Sequence, residues 1–269
     1  MDITTTTAIT ILGSFGAAST AQIISHGLTL RREQKNFKKE CYQNLYAPTI
    51  FKLTNYIETE GVHYARHKSD GASKETSNLF KEIMTDIASN LKYANLELIN
   101  LYMIWQNRNS KIENNTLTYI SFEHELHLRF QLAEVFFSHF TKINQSLNNT
   151  NKLINKEMQV SYFFVHFYFV MKEYCSKFLL SSSDIIGLYD LISRVLELDN
   201  NYKERIIIIR KKMQNVNSKS KFSPQYKSSK RALIIRFYAY TLLSEIVQSF
   251  KDFDEARANH LQEILDMRR

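Results

Sequence analysis

The feature that most limits what this chain can fold into is its shortage of residues that break helices. Among 269 residues there are six glycines and two prolines. Three of the glycines, Gly13, Gly16 and Gly27, lie in the N-terminal stretch. Beyond them, only Gly61, Gly71, Gly187, Pro48 and Pro224 interrupt the chain. A fold of short strands needs turn residues roughly every 8–12 positions, and they are not there. The chain is therefore expected to be all-α, built from long helices. Fifteen tyrosines and eighteen phenylalanines supply bulky side chains for its core. Abundant Lys, Asn, Ile, Tyr and Phe suggest AT-rich coding, as in a bacterium or a virus.

The spacing of apolar residues marks out the helices. A first helix is expected to run to about Leu45, with a junction at Pro48, because the residue before a proline is pushed out of helical geometry. A second carries Ile50, Phe51, Leu53, Tyr56 and Ile57 and fades at Gly61. Asp70-Gly71 is a turn signal. From Lys74 to Gln106, Phe80, Ile83, Ile87, Leu91, Ala94, Leu98, Leu101 and Trp105 form one stripe at three/four spacing, which predicts one continuous helix. Asn107 to Asn115 is a polar break. The next helix carries Phe122 through Leu147 and ends at Asn148, Asn149 and Asn151; it should pack antiparallel to its predecessor.

Tyr162 to Met171 is almost unbroken apolar sequence, bracketed by Lys156, Glu157, Lys172 and Glu173. It is too short to cross a bilayer, so it reads as the buried centre of a bundle. Ser181 to Asp184 offers N-cap chemistry for a helix through Leu198. Ile206 to Ile209 takes helix from its flanks. Asn217 to Ser229 reads as a loop. A long amphipathic helix then follows to the end, its buried stripe expected to include Leu233, Phe237, Tyr240, Leu243, Val247, Phe250, Leu261 and Ile264.

The first forty residues speak about cellular role. From Ile3 to Ser25 there is no charged side chain. Arg31, Arg32, Lys35, Lys38 and Lys39 follow, with Glu33 as the one acid among them. An uncharged run of that length ending in a basic cluster predicts a single membrane helix, Ile9 to Leu28, with its C-terminal flank in the cytoplasm. Ile9, Ile11, Leu12, Phe15, Ile23, Ile24 and Leu28 favour the bilayer by about 3 kcal/mol together on an insertion scale. Thr10, Ser14, Ser19, Thr20, Gln22 and Ser25 oppose this by a similar order, so insertion is marginal for a lone helix. Gly13, Ala17 and Ala21 recur every four residues, a small-residue face on which two membrane helices approach closely. The basic cluster follows the apolar run instead of preceding it, which argues against a cleaved signal peptide. The expected organisation is an anchor with its basic flank over 1–39 and a cytosolic helical bundle over 40–269, with 148–152 as the place where the bundle could divide.

The formal charge of +8 is local. Between Tyr202 and Arg236 stand Lys203, Arg205, Arg210, Lys211, Lys212, Lys219, Lys221, Lys227, Lys230, Arg231 and Arg236 against Glu204 alone, a surplus of +10 that leaves −2 for the rest of the chain. The first ten of these cations are the candidate anionic-surface contacts. An acidic partner or an anionic lipid headgroup fits such a stretch, since an anchor would hold it beside a negative leaflet. The aromatics Tyr202, Phe222, Tyr226, Phe237 and Tyr238 lie among the cations, so single-stranded nucleic acid is the alternative ligand. No helix-turn-helix or RNA-binding signature accompanies them.

No catalytic, cofactor or metal constellation emerges. His124 and His127 with Glu123 and Glu125 have the wrong spacing for a zincin, whose histidines are four apart with Glu directly after the first. Glu60 and His63 have the Glu-x-x-His spacing of a di-iron bundle, but such a site needs a second copy of the motif and two further carboxylates. His166, inside the aromatic run, reads as a core histidine bonded to backbone or to a Tyr. Arg129 and His139 share a helix at a spacing unsuited to a helical ribonuclease. Cys41 and Cys175 form no disulfide framework and fit a reducing cytoplasm. The layout, an anchor feeding a helical domain without catalytic residues, is similar to that of some phage-defence and mobile-element membrane proteins. It implies a non-enzymatic defence effector or exclusion factor acting through self-association or a protein partner.

Overall fold

The computed structural model describes residues 25–66, 74–113, 121–148, 152–175, 180–198, 201–220 and 230–267. Every regular element among them is helical. Helix α1 (25–41) runs through a π-helical turn (Tyr42–Tyr46) into α2 (Ala47–Arg66). Then come α3 (Lys74–Ser89), a 3-10 turn (Leu91–Tyr93), α4 (Leu96–Glu113), α5 (Ser121–Ser146) and α6 (Lys152–Cys175). The chain finishes with α7 (Ser182–Ile186), α8 (Tyr189–Leu198), α9 (Asn201–Ser220), α10 (Lys230–Ser249), a 3-10 turn (Phe250–Asp252) and α11 (Glu255–Asp266).

The core forms around α6, which packs against α2, α5, α7, α8, α9, α10 and α11. Every residue from Phe163 to Met171 is buried, as the apolar run predicts. Fully burying a large apolar side chain is worth roughly 1.5–3 kcal/mol, so Phe163, Phe164, Phe167, Tyr168 and Phe169 together contribute on the order of 10 kcal/mol. The buried apolar residues form one cluster that reaches from Cys41 to Leu265.

Five element boundaries differ from expectation. Pro48 does not break the first helix. The Ala47 N–H bonds to the Tyr42 carbonyl, five residues back. This widened turn makes room for a ring that would otherwise crowd the carbonyl of Asn44. Gly61 does not end α2, which continues to Arg66. The stripe from Lys74 to Gln106 is two helices, because Asn90 leaves helical geometry at φ −125° and the Asn95 side chain caps α4 by accepting the Leu98 N–H at 3.2 Å. Helix α4 then runs through Asn107 as far as Glu113, where a break was expected earlier. At the C-terminus, Asp254 accepts the Arg257 N–H at 3.0 Å and starts α11 as a separate helix that folds back on α10.

Other expectations hold. Asn148 stands at φ 54° just beyond α5, a left-handed conformation that Asn tolerates. Ser181 and Asp184 form a reciprocal capping box, although Gly187 divides the helix beyond it into α7 and α8. The Ile206 to Ile209 segment is helical within α9.

Among the described residues no helix is long and apolar enough to cross a membrane. Most of the expected span, Ile9 to Leu28, lies outside the described residues, as do Gly13, Ala17 and Ala21. Its last turn, 25–28, is already helical and begins α1.

Candidate functional site

The most distinctive surface lies where α9 and α10 pack side by side. The first half of α10 buries one narrow stripe, Ile235 and Ala239, which continues into Leu242, Leu243, Ile246 and Val247. Leu233 and Phe237 belong to the opposite side and are 60 % and 58 % exposed, which corrects their assignment to the core. Periodicity alone could not choose, because this half-helix carries two apolar stripes. Ile234 and Tyr238 are exposed as well. Residues four apart are neighbours on a helix, so Leu233/Phe237 and Ile234/Tyr238 form two adjacent apolar rows. Exposed Lys230, Arg231 and Arg236 flank them. From α9, exposed Lys212 borders the same face, its ammonium 5.7 Å from the Tyr238 ring centre, whereas exposed Lys211 lines a cleft toward α5.

The expected cation set divides. Lys211, Lys212, Lys230 and Arg231 are exposed. The side chain of Lys219, and the whole of Lys221, Lys227, Phe222 and Tyr226, lie outside the described residues. Lys203 is half-buried and donates to Gln159 Oε1 at 2.7 Å. Arg205 bridges α9 to α10 through Glu245 at 3.0 Å. Tyr202 packs inward, its hydroxyl 3.2 Å from Ser249 Oγ. Arg210 is not a surface contact at all. It is 6 % exposed, lies over the Phe169 ring at 4.3 Å, and donates to Glu134 from Nε at 2.6 Å and from Nη2 at 3.0 Å. Its Nη1 donates to Glu173.

His166 joins this buried cluster, its Nδ1 3.4 Å from Glu134 Oε1 and its ring edge-on to Tyr162. Its polar neighbour is thus a carboxylate, not backbone. Burial acts to raise the Glu134 carboxyl, but the bonds from Arg210 and His166 outweigh it and hold Glu134 below the usual carboxylate range. The cluster joins α5, α6 and α9. The only sequence signal for it was an acid, Glu134, set between Ala133 and Val135 in an apolar stretch.

Two clefts carry the remaining polar groups. One, of about 520 Å³, is lined by Glu123, His124, His127, Lys172, Glu173 and Ser182, with Ser181 at its edge. The Glu123 carboxylate accepts the Ser182 N–H at 2.9 Å and the Lys172 ammonium at 3.2 Å. Burial acts to raise Glu123, and these partners more than offset it, so its carboxyl sits low. The Tyr168 hydroxyl lies 3.0 Å from Ser182 Oγ and 3.2 Å from His127 Nδ1. The histidine therefore meets the tyrosine, and the Glu123 carboxylate sits beside the Ser182 hydroxyl as well as its N–H. Glu125 turns away to Arg129. A second cleft, of about 440 Å³, includes Glu134, His139, Lys142, Tyr162 and Lys211. There His139 Nε2 lies 2.7 Å from Asn95 Nδ2. Neither cleft was legible in the sequence, since each draws residues from helices far apart in the chain. Among the described residues no group of three or more His, Cys, Asp or Glu is placed to hold a metal ion.

Glu60, the acid of the Glu-x-x-His spacing, is fully buried beside Tyr56 and 4.0 Å from Arg129 Nη1. Burial raises its carboxyl, and Arg129 offsets this only in part. Cys41 and Cys175 are both buried thiols. The cations expected beside a membrane, Arg31, Arg32, Lys35, Lys38 and Lys39, are all exposed on α1. No family model, curated protein or solved structure matches this chain.

Proposed function

We propose that this protein is a membrane-tethered helical interaction protein that works by contact and not by catalysis, as a phage-defence effector or a mobile-element exclusion factor. The observation that supports this best is α1. From Ser25 to Glu40 it is exposed apart from half-buried Gly27, yet it continues without a break into the helix that enters the core. Helices of about 12–15 residues or fewer are marginal in water without packing. The uncharged stretch before α1 gives the exposed segment a second fixed end if it lies in a bilayer, with the five cations at the cytoplasmic headgroups. Self-association through Gly13, Ala17 and Ala21, and a cytoplasmic position for the bundle, belong to the same reading. The test is fractionation of cells that express the full-length protein and a version lacking residues 1–30. Association of the full-length protein should resist carbonate and high salt and should vanish with the deletion. Full-length protein in the soluble fraction would refute the tether.

A second reading, nucleic-acid binding, has one observation in its favour: Phe237 and Tyr238 are exposed among cations, as stacking platforms for single strands are.

A further inference from the structure

We infer that the outer face of α10 inserts into the surface of an anionic bilayer, with Leu233, Ile234, Phe237 and Tyr238 entering the headgroup–acyl boundary and the cations of α9 and α10 holding the lipid phosphates. This rests on the membrane reading above and gives the tethered body a second, reversible contact with lipid. Three observations carry it. The four apolar side chains are exposed together in two adjacent rows, although the same helix buries a complete stripe on its other side. Lys212, Lys230, Arg231 and Arg236 are exposed on or beside that face. Between Arg205 and Glu245 the chain has no acidic residue.

An apolar stripe of Phe and Leu-type side chains edged by Lys and Arg is the pattern of a helix lying in a membrane interface. The charge complements an anionic leaflet, which attracts basic segments within a Debye length. Charge alone would leave Phe237 in water above the headgroups; insertion moves it into the hydrocarbon edge. That difference separates the two modes.

The experiment uses the full chain with Phe237→Cys carrying an environment-sensitive fluorophore. Cys41 and Cys175 are buried and do not compete for the label. A control chain carries the label at Leu96→Cys, an exposed position on α4, which does not pack against α10. Each is added to vesicles of phosphatidylcholine with or without phosphatidylglycerol. Emission from position 237 should shift to the blue on the anionic vesicles, and much less on neutral ones, while position 96 stays unshifted. Changing Lys212, Lys230 and Arg231 to Gln should reduce the shift.

Protein that sediments with anionic vesicles while position 237 stays unshifted overturns the insertion and leaves the tether standing. A blue shift in protein that carbonate strips from the vesicles supports the insertion and removes the tether. Protein that never sediments with vesicles refutes both. An equal shift on a single-stranded oligonucleotide without vesicles assigns the face to nucleic-acid bases and overturns the inference.

Discussion

Glu60 and Glu134 are both buried, and their surroundings push their carboxyls in opposite directions. An unperturbed Glu titrates at about 4.3. Glu60 titrates above its ordinary value when folded, so its contribution to stability is present below the unfolded value and is lost as pH rises through the folded one. Glu134 titrates below its ordinary value, so its contribution is present above the unfolded value and is lost as pH falls through the folded one. Glu60→Gln should therefore match the parent protein at acid pH and exceed it at neutral pH. Glu134→Gln should fall short at neutral pH and lose that deficit on acidification. Urea unfolding at several pH values checks both, and parallel curves for the two variants would contradict the assignment. Arg210→Met should cost about 3–5 kcal/mol because it strands the buried Glu134 carboxylate, while Lys211→Gln one residue on should stay within about 0.5 kcal/mol. The same unfolding measurement decides that too; an unaffected Arg210→Met protein would put Arg210 back on the surface. A charge count along the sequence cannot separate these neighbours, because Arg210 gains its partners only when α5 and α6 come to meet α9.

At the scale of elements, the positions and types of the helices were legible wherever one apolar stripe dominates. The aromatic run of α6 and the capping box at Ser181 are examples. What was not legible was whether a glycine or an asparagine ends a helix or serves a contact. Gly61 is the clearest case. A Cβ added there would stand 2.3 Å from the Tyr189 Cβ, so the glycine exists to let α2 lie close against the start of α8. Gly61→Ala should force the two helices apart and cost roughly 1–3 kcal/mol, the usual range for overpacking. Ala is the better helix former by about 1 kcal/mol. A thermal melt therefore distinguishes the roles: lower stability fits a packing glycine, and higher stability would mean that Gly61 is merely a weak point in α2. The outer face of α10 escaped notice for a related reason. Three/four spacing finds apolar rows, but only the packing of α9, α6 and α11 shows which row is left outside.

At the scale of the whole molecule, a helical body is joined to the exposed helix α1, which we propose as its tether. The all-helical class followed from the shortage of glycine and proline, and the central position of α6 from its apolar run. The two clefts and the Glu134–Arg210–Glu173 cluster did not follow, since they depend on contacts between residues 37 to 76 positions apart. The central claim is that Ile9 to Leu28 spans the membrane with the exposed cations of α1 on the cytoplasmic side. Single cysteines at Thr5 and at Lys35 in the full chain, probed in intact cells with a membrane-impermeant maleimide, test it most directly. The account predicts labelling at position 5 in intact cells and at position 35 only after lysis. Labelling of neither position until lysis, or of both in intact cells, would contradict it.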